Sequence, residues 1–192
     1  MRKLLITCIG MMLTLPNIAY AHEVAGDGGF MSGLSHPVLG FDHLLAMLSV
    51  GILSAQMGGK AIWKVPATFV VVMLVGGILG IKGIEIVSVE LGIALSVFAL
   101  GISIASEKKL PALLAMFFVG FFAVFHGHAH GSEMPYLAQP TFYACGFIVG
   151  TAGIHIGGVL IGVIAQKFNS GVQLLKYLGA SIAGIGFYLM IM

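Results

Sequence analysis

Two short stretches hold most of the reactive side chains in this sequence. "HPVLGFDH", residues 36–43, sets His36, Asp42 and His43 at the mouth of a run whose next charged residue is Lys60. "FHGHAHGSE", residues 125–133, adds His126, His128, His130 and Glu133. Imidazoles mixed with carboxylates suit borderline divalent transition ions such as nickel, cobalt, zinc or copper(II). Magnesium and calcium prefer all-oxygen sites, and copper(I) calls for more sulfur. Such groups are expensive beside hydrocarbon, and within a membrane they tend to face an interior pathway.

Spacing limits how these groups meet. In an unbroken helix His36 and His43 share a face about 10 Å apart, with Asp42 pointing about 120° away. One ion with nitrogen ligands at about 2 Å cannot hold both histidines in that geometry. Either the backbone is irregular around Gly40, or the ion passes between two stations. His36 precedes Pro37, which makes Pro37 the expected first helical residue; the plainer reading has Asp42 capping a helix beside two interfacial histidines. Met47, four residues after His43, continues the stripe inward, as core packing or as a thioether ligand.

In the second stretch, a helix lines up His126, His130 and Glu133, whereas an extended chain lines up His126, His128 and His130. Gly127 and Gly131 ease an irregular backbone, and a polar external loop is the alternative. Glu90 lies a few residues into an apolar run, beside Ser88, as a further step of a metal route or as a neutralised carboxylate. His155 lies near the middle of another run, as a hydrogen-bonded packing residue or a further ligand. His22 and Asp27 in the N-terminal arm are in a position to gather ions.

The elements that must position these groups are membrane spans. Of 192 residues, 59% are hydrophobic and 8% charged, with a mean hydropathy of +1.08, against roughly 25% charged in an ordinary soluble domain. Residues 1–21 read as a cleaved secretory signal: Arg2 and Lys3, an apolar stretch from Leu4 to Leu15, then Ala19-Tyr20-Ala21. An uncleaved first helix is the alternative. The mature chain, 22–192, then forms one all-α, polytopic membrane domain of six transmembrane helices, near 37–57, 62–81, 84–105, 110–125, 142–165 and 172–192. Each run is continuous rather than alternating, so helices fit and a barrel does not.

With the mature N-terminus outside the cytoplasm, Lys60, Lys64, Lys108, Lys109, Lys167 and Lys176 fall on the inner side and Lys82 outside, as the positive-inside rule expects. His22, His36, His43, His126, His128 and His130 then share the outer face. Glycine is frequent within the spans, and Gly153-x-x-x-Gly157 reads as a close helix-packing pattern. Cys145 is the single cysteine beyond the signal, so the mature chain has neither an internal disulfide nor a CxxC pair. No basic cluster with interleaved aromatics points to nucleic acid, and the partners expected are membrane lipid and a divalent ion. No feature of the sequence specifies an oligomeric state.

At these residues the chain resembles the HupE/UreJ family of nickel/cobalt permeases. The matching elements are His36-Pro37 with Gly40 and Asp42-His43, and Phe125-His126-Gly127 with Ala129-His130-Gly131 and Glu133; the likeness extends over the signal and all six spans. The position of His128 is free in that pattern. A separate nickel/cobalt permease family places a histidine four residues before its Asp-His pair, where the gap here is five. The resemblance implies secondary import of Ni²⁺ or Co²⁺ across a bacterial inner membrane, supplying metalloenzymes such as hydrogenase or urease, or cobalamin synthesis. The ion would be cargo, with no permanently bound cofactor and no enzymatic activity. The rival reading is an intramembrane zinc-dependent hydrolase, for which His126-x-x-x-His130 has workable spacing although HExxH is absent.

Overall fold

In a computed structural model describing residues 29–107, 110–136 and 138–192, the chain forms seven helices and no strand among those residues. They are α1 (Phe30–Leu39), α2 (Phe41–Met57), α3 (Ala61–Ile81), α4 (Val89–Ser106), α5 (Ala112–Ser132), α6 (Pro140–Ala165) and α7 (Gly171–Ile191). The expected signal, residues 1–21, lies outside the described residues, as do His22, Asp27, Lys108 and Lys109. Helices α3 to α7 are long and apolar enough to cross a membrane, and α1 with α2 makes a sixth span if the bent pair counts as one. The chain is a multi-pass membrane protein. Large apolar side chains such as Val71, Phe117, Phe121, Ile156 and Leu160 stay exposed on the helix surfaces, as expected where the surrounding solvent is hydrocarbon.

The first span departs most from the expected boundaries. Helix α1 begins at Phe30, and Pro37 sits inside it rather than at its start. The close fit of α1 to α6 explains the earlier start: a Cβ on Gly33 would overlap the Tyr143 carbonyl, and one on Gly146 would overlap the Phe30 carbonyl. Pro37 has no N–H for the Gly33 carbonyl, and the helix stops soon after it. The Gly40 N–H closes the end on the His36 carbonyl at 3.3 Å, and the Gly40 carbonyl opens α2 by accepting from Leu44 N–H at 2.8 Å. Across this one extended residue the axis turns by 84°.

Glycines zip the remaining helices into pairs. Along α3 and α5, which run parallel, Gly76 meets Val124, Gly80 meets His128, and Gly127 meets Met73, all backbone against backbone. Helix α2 packs likewise along α6 through Gly51 and Gly158, with Gly162 against the Ala55 methyl, and α4 runs antiparallel to α7 through Gly101, Gly179 and Gly186. The expected Gly153-x-x-x-Gly157 contact is not one of these seams. Gly153 faces open space and Gly157 reaches only the tip of Leu48 at 4.0 Å; the close approach on α6 falls one residue further on, at Gly158, because that face turns toward α2.

Two further boundaries move. Helix α4 starts at Val89, not at 84, so Glu90 lies exposed in its first turn rather than several residues into a span. Helix α5 continues to Ser132, past the expected end at 125, so residues 126–132 are helix and not an external loop. Backbone packing on α3 outweighs the weak helix propensity of Gly127 and Gly131.

Lys60, Lys64, Lys167 and Lys176 lie at one end of the bundle, and the histidine-rich segments lie at the other. Gly76→Ala or Gly80→Ala forces a Cβ into a carbonyl of α5, a misfit of about 1–3 kcal/mol, and should lower the melting temperature of the purified protein by at least about 3 °C. Gly153→Ala, facing open space, should leave it unchanged.

Candidate metal site

The turn at Gly40 lets α1 and α2 both reach the end of α5. The His36 ring lies 4.6 Å from that of His130, the His43 ring 4.3 Å from His130 and 4.8 Å from His126, centroid to centroid. Four imidazoles from three helices therefore stack edge to face, and the two sequence signatures meet in one cluster. Of the two geometries open from spacing, the irregular backbone at Gly40 is the one present. His36 also bonds Glu133, Nε2 to Oε2, at 3.1 Å.

Accessibility falls along this file. The side chains of Glu133 and His36 keep 54% and 26% of their surface; His43 is 7% exposed, His130 1% and His126 0%. Counting 1.5 Å per residue, His130 stands about 27 Å and His126 about 21 Å from the lysine end of α5. The file thus runs from exposed groups at the bundle surface to fully buried ones within it.

Hydrogen bonds assign the imidazole tautomers. His43 donates from Nδ1 to Asp42 Oδ1 at 2.8 Å, and the same oxygen accepts from its backbone N–H at 2.8 Å. Nε2 of His43 is left as a lone pair, buried and without a partner. The Ser96 hydroxyl on α4 donates to the Ile93 carbonyl at 2.6 Å, so its oxygen accepts from His126 Nε2–H at 2.8 Å. Nδ1 of His126 is then the free lone pair, also buried and unpartnered, as are both ring nitrogens of His130. A ligand histidine whose second nitrogen donates to a carboxylate or hydroxyl is the usual arrangement around a bound metal. Gly40 leaves room for it: a Cβ there would press His43 Nδ1 at 3.1 Å and Asp42 Oδ1 at 3.4 Å.

Among the described residues, no three of these donors converge as around a bound ion; edge-to-face rings must turn for their lone pairs to meet. At the mouth, the hydrogen bond from His36 holds the Glu133 carboxyl below its usual range. Glu133 is therefore an anion that marks the opening.

The other sequence candidates fall elsewhere. His128 points away from the cluster and bonds the Ile84 carbonyl at 2.7 Å. Glu90 is exposed, and Ser88 makes no side-chain capping bond beside it. Met47 is fully buried in the apolar core. His155 is 2% exposed, and neither ring nitrogen has the hydrogen bond expected of a packing histidine.

Three contacts were not foreseen: Ser96 on His126, Phe69 against the rings of both His126 and His155 at 5.5 and 5.2 Å, and Tyr143, whose hydroxyl donates to the His130 carbonyl at 3.3 Å. A lone buried hydroxyl in "LSVFAL" was the one available signal for Ser96; its partner is thirty residues away. At the lysine end, a cavity of about 270 Å³ is lined by Gln56, Glu107, Gln166, Val172 and Leu175. Fully buried apolar side chains, among them Val50, Leu53, Leu100 and Ile104, fill the core of the bundle.

The profile of the family described as HupE / UreJ protein matches residues 10–189. Protein HupE of Rhizobium leguminosarum bv. viciae is 43% identical over 180 residues, 93% of this chain and 93% of that protein. No solved structure matches. With both signatures in place in the site and the match running nearly end to end, the chain belongs to the HupE/UreJ family.

Proposed function

We propose that this protein is a secondary permease that imports a divalent transition-metal ion, Ni²⁺ or Co²⁺, across the bacterial inner membrane. The observation that carries the reading is the file of His36, His43, His130 and His126, with buried lone pairs behind an anionic mouth. Lysines at the opposite end support an orientation with the histidine end outside the cytoplasm. Glu133 and His36 meet the hydrated ion and strip part of its water. Asp42 holds His43, and Ser96 holds His126, each presenting one neutral nitrogen inward. Borderline ions prefer such nitrogen donors, and hard cations do not.

The sequence has no GxxxxGK[ST] nucleotide loop, so a gradient supplies the work. A membrane potential gives about 2.3 kcal/mol per charge per 100 mV. A divalent ion gains about 4.6, enough for roughly 2,000-fold accumulation at tenfold per 1.4 kcal/mol. Because the donors do not already converge on one point, binding stays moderate and the cargo is released rather than trapped. The zinc-hydrolase alternative has no support: HExxH is absent, and the family is one of transporters.

Radiometal uptake in cells lacking other nickel and cobalt importers tests the function: the protein should raise intracellular ⁶³Ni or ⁵⁷Co, and His43→Ala or His130→Ala should cut the initial rate at least tenfold. No accumulation of either metal would refute it. Ser96→Ala frees the His126 tautomer and should weaken metal binding about tenfold, as changes behind a ligand do, with Ser96→Thr restoring most of it; equilibrium dialysis against ⁶³Ni measures both.

Glu133, its pKa lowered by the hydrogen bond from His36, stays ionised above about pH 4.5 and loses that bond only as pH falls through the lowered value. The share of uptake that Glu133 carries should therefore be steady from pH 7 to about pH 4.5 and fall only below it, and Glu133→Gln should remove that acid limb. Radiometal uptake across this range measures it, and a Glu133-dependent decline already between pH 7 and pH 5 would refute it.

A further inference from the structure

Beyond His126 the file does not end in plain packing. His155 of α6 lies about 15 Å from the lysine end of its helix, and His126 about 21 Å from the same end of α5, so His155 is the next imidazole inward. The two are bridged by one side chain. Phe69 of α3, fully buried, lies 5.5 Å from the His126 ring and 5.2 Å from the His155 ring, the latter edge to face at 87°. Neither nitrogen of His155 has a partner in the structure, although the residue is 2% exposed. A buried polar nitrogen left unpaired is destabilising, and an apolar side chain of similar volume avoids that cost.

One turn above, Thr151 is buried with only a long contact from its hydroxyl to Met73 Sδ, at 3.9 Å. Hydroxyl, thioether and imidazole donors thus lie at neighbouring levels of an otherwise apolar layer. Neither signature segment includes them.

Resting on the permease reading above, we propose that His155 is an inner relay station: a transient nitrogen ligand that takes the divalent ion from His126 once Phe69 turns aside. Phe69 partitions the route into an outer compartment, where the ion is captured from water, and an inner one, where it is held by a single imidazole before release toward the lysine end. The outer donors then set affinity and His155 sets the rate of passage. A packing histidine would do neither.

The test separates binding from passage. Full-length protein, wild type or His155→Leu, is reconstituted into liposomes with a metal-sensitive dye inside and a potassium diffusion potential, negative inside. Ni²⁺ is added outside, and ⁶³Ni binding is measured on the same preparations in detergent. His155→Leu, close in volume, should bind Ni²⁺ within about twofold of wild type yet pass it at least tenfold more slowly. If the leucine chain does not fold, His155→Gln carries the test, with unchanged binding and a rate at least threefold lower.

Passage within twofold of wild type, or loss of binding together with passage, would overturn the relay while leaving the permease intact. So would normal Ni²⁺ flux with loss only of metal-driven proton movement, read with an internal pH dye. Wild type that moves neither Ni²⁺ nor Co²⁺ would instead bring down the permease reading and the relay with it.

Discussion

A neutral imidazole in a low-dielectric interior keeps one nitrogen that must be satisfied, and leaving it unpaired costs about as much as a core cavity. Here His43, His126, His130 and His155 all carry such nitrogens where water does not reach. No single hydrogen bond within the bundle relieves them, and protonation would bury charge beside hydrocarbon. A doubly positive guest of the kind proposed above would relieve several at once, and the fold holds these unsatisfied groups in place.

Keeping them there takes a rigid frame, which bare backbone contact provides. Where Gly76, Gly80 and Gly127 bring α3 and α5 together, no side chain intervenes to yield, so His126 and His130 are fixed relative to Phe69 and Met73. The turn at Gly40 has the opposite role. It breaks a helix so that residues seven apart, which a continuous span would separate by about 10 Å, flank one imidazole. Asp42 then serves both the start of α2, where an anion is favoured, and the orientation of His43.

The six apolar runs, the lysine asymmetry and the two histidine signatures were legible because each rests on composition or short-range spacing. The six residues singled out in the two signatures lie near one another in the fold. What escaped was decided by long-range contact. Residues 126–132 read as helix or extended chain, with an external loop as the alternative, and only α3 packing settles them. Pro37 suggested a helix start, yet α6 extends the helix back to Phe30. Glu90 was expected a few residues into a span starting at Ile84, but left-handed backbone at Ser88, φ 56°, delays α4 and leaves Glu90 at its edge. Ser96 and Phe69 are ordinary residues in apolar runs, and nothing local distinguishes them.

The glycine seams also divide the bundle into blocks, α3 with α5, α4 with α7, and α1 and α2 with α6. Rearrangement is cheapest between blocks, where side chains and not main chains touch. The Ser96 to His126 bond crosses one such boundary and the stack of His43 on His130 crosses another. A slip of one block past its neighbour would therefore reset the tautomers and the spacing of the rings in the same movement, so that under the proposed permease function letting go of the cargo and opening the far side would be a single mechanical event.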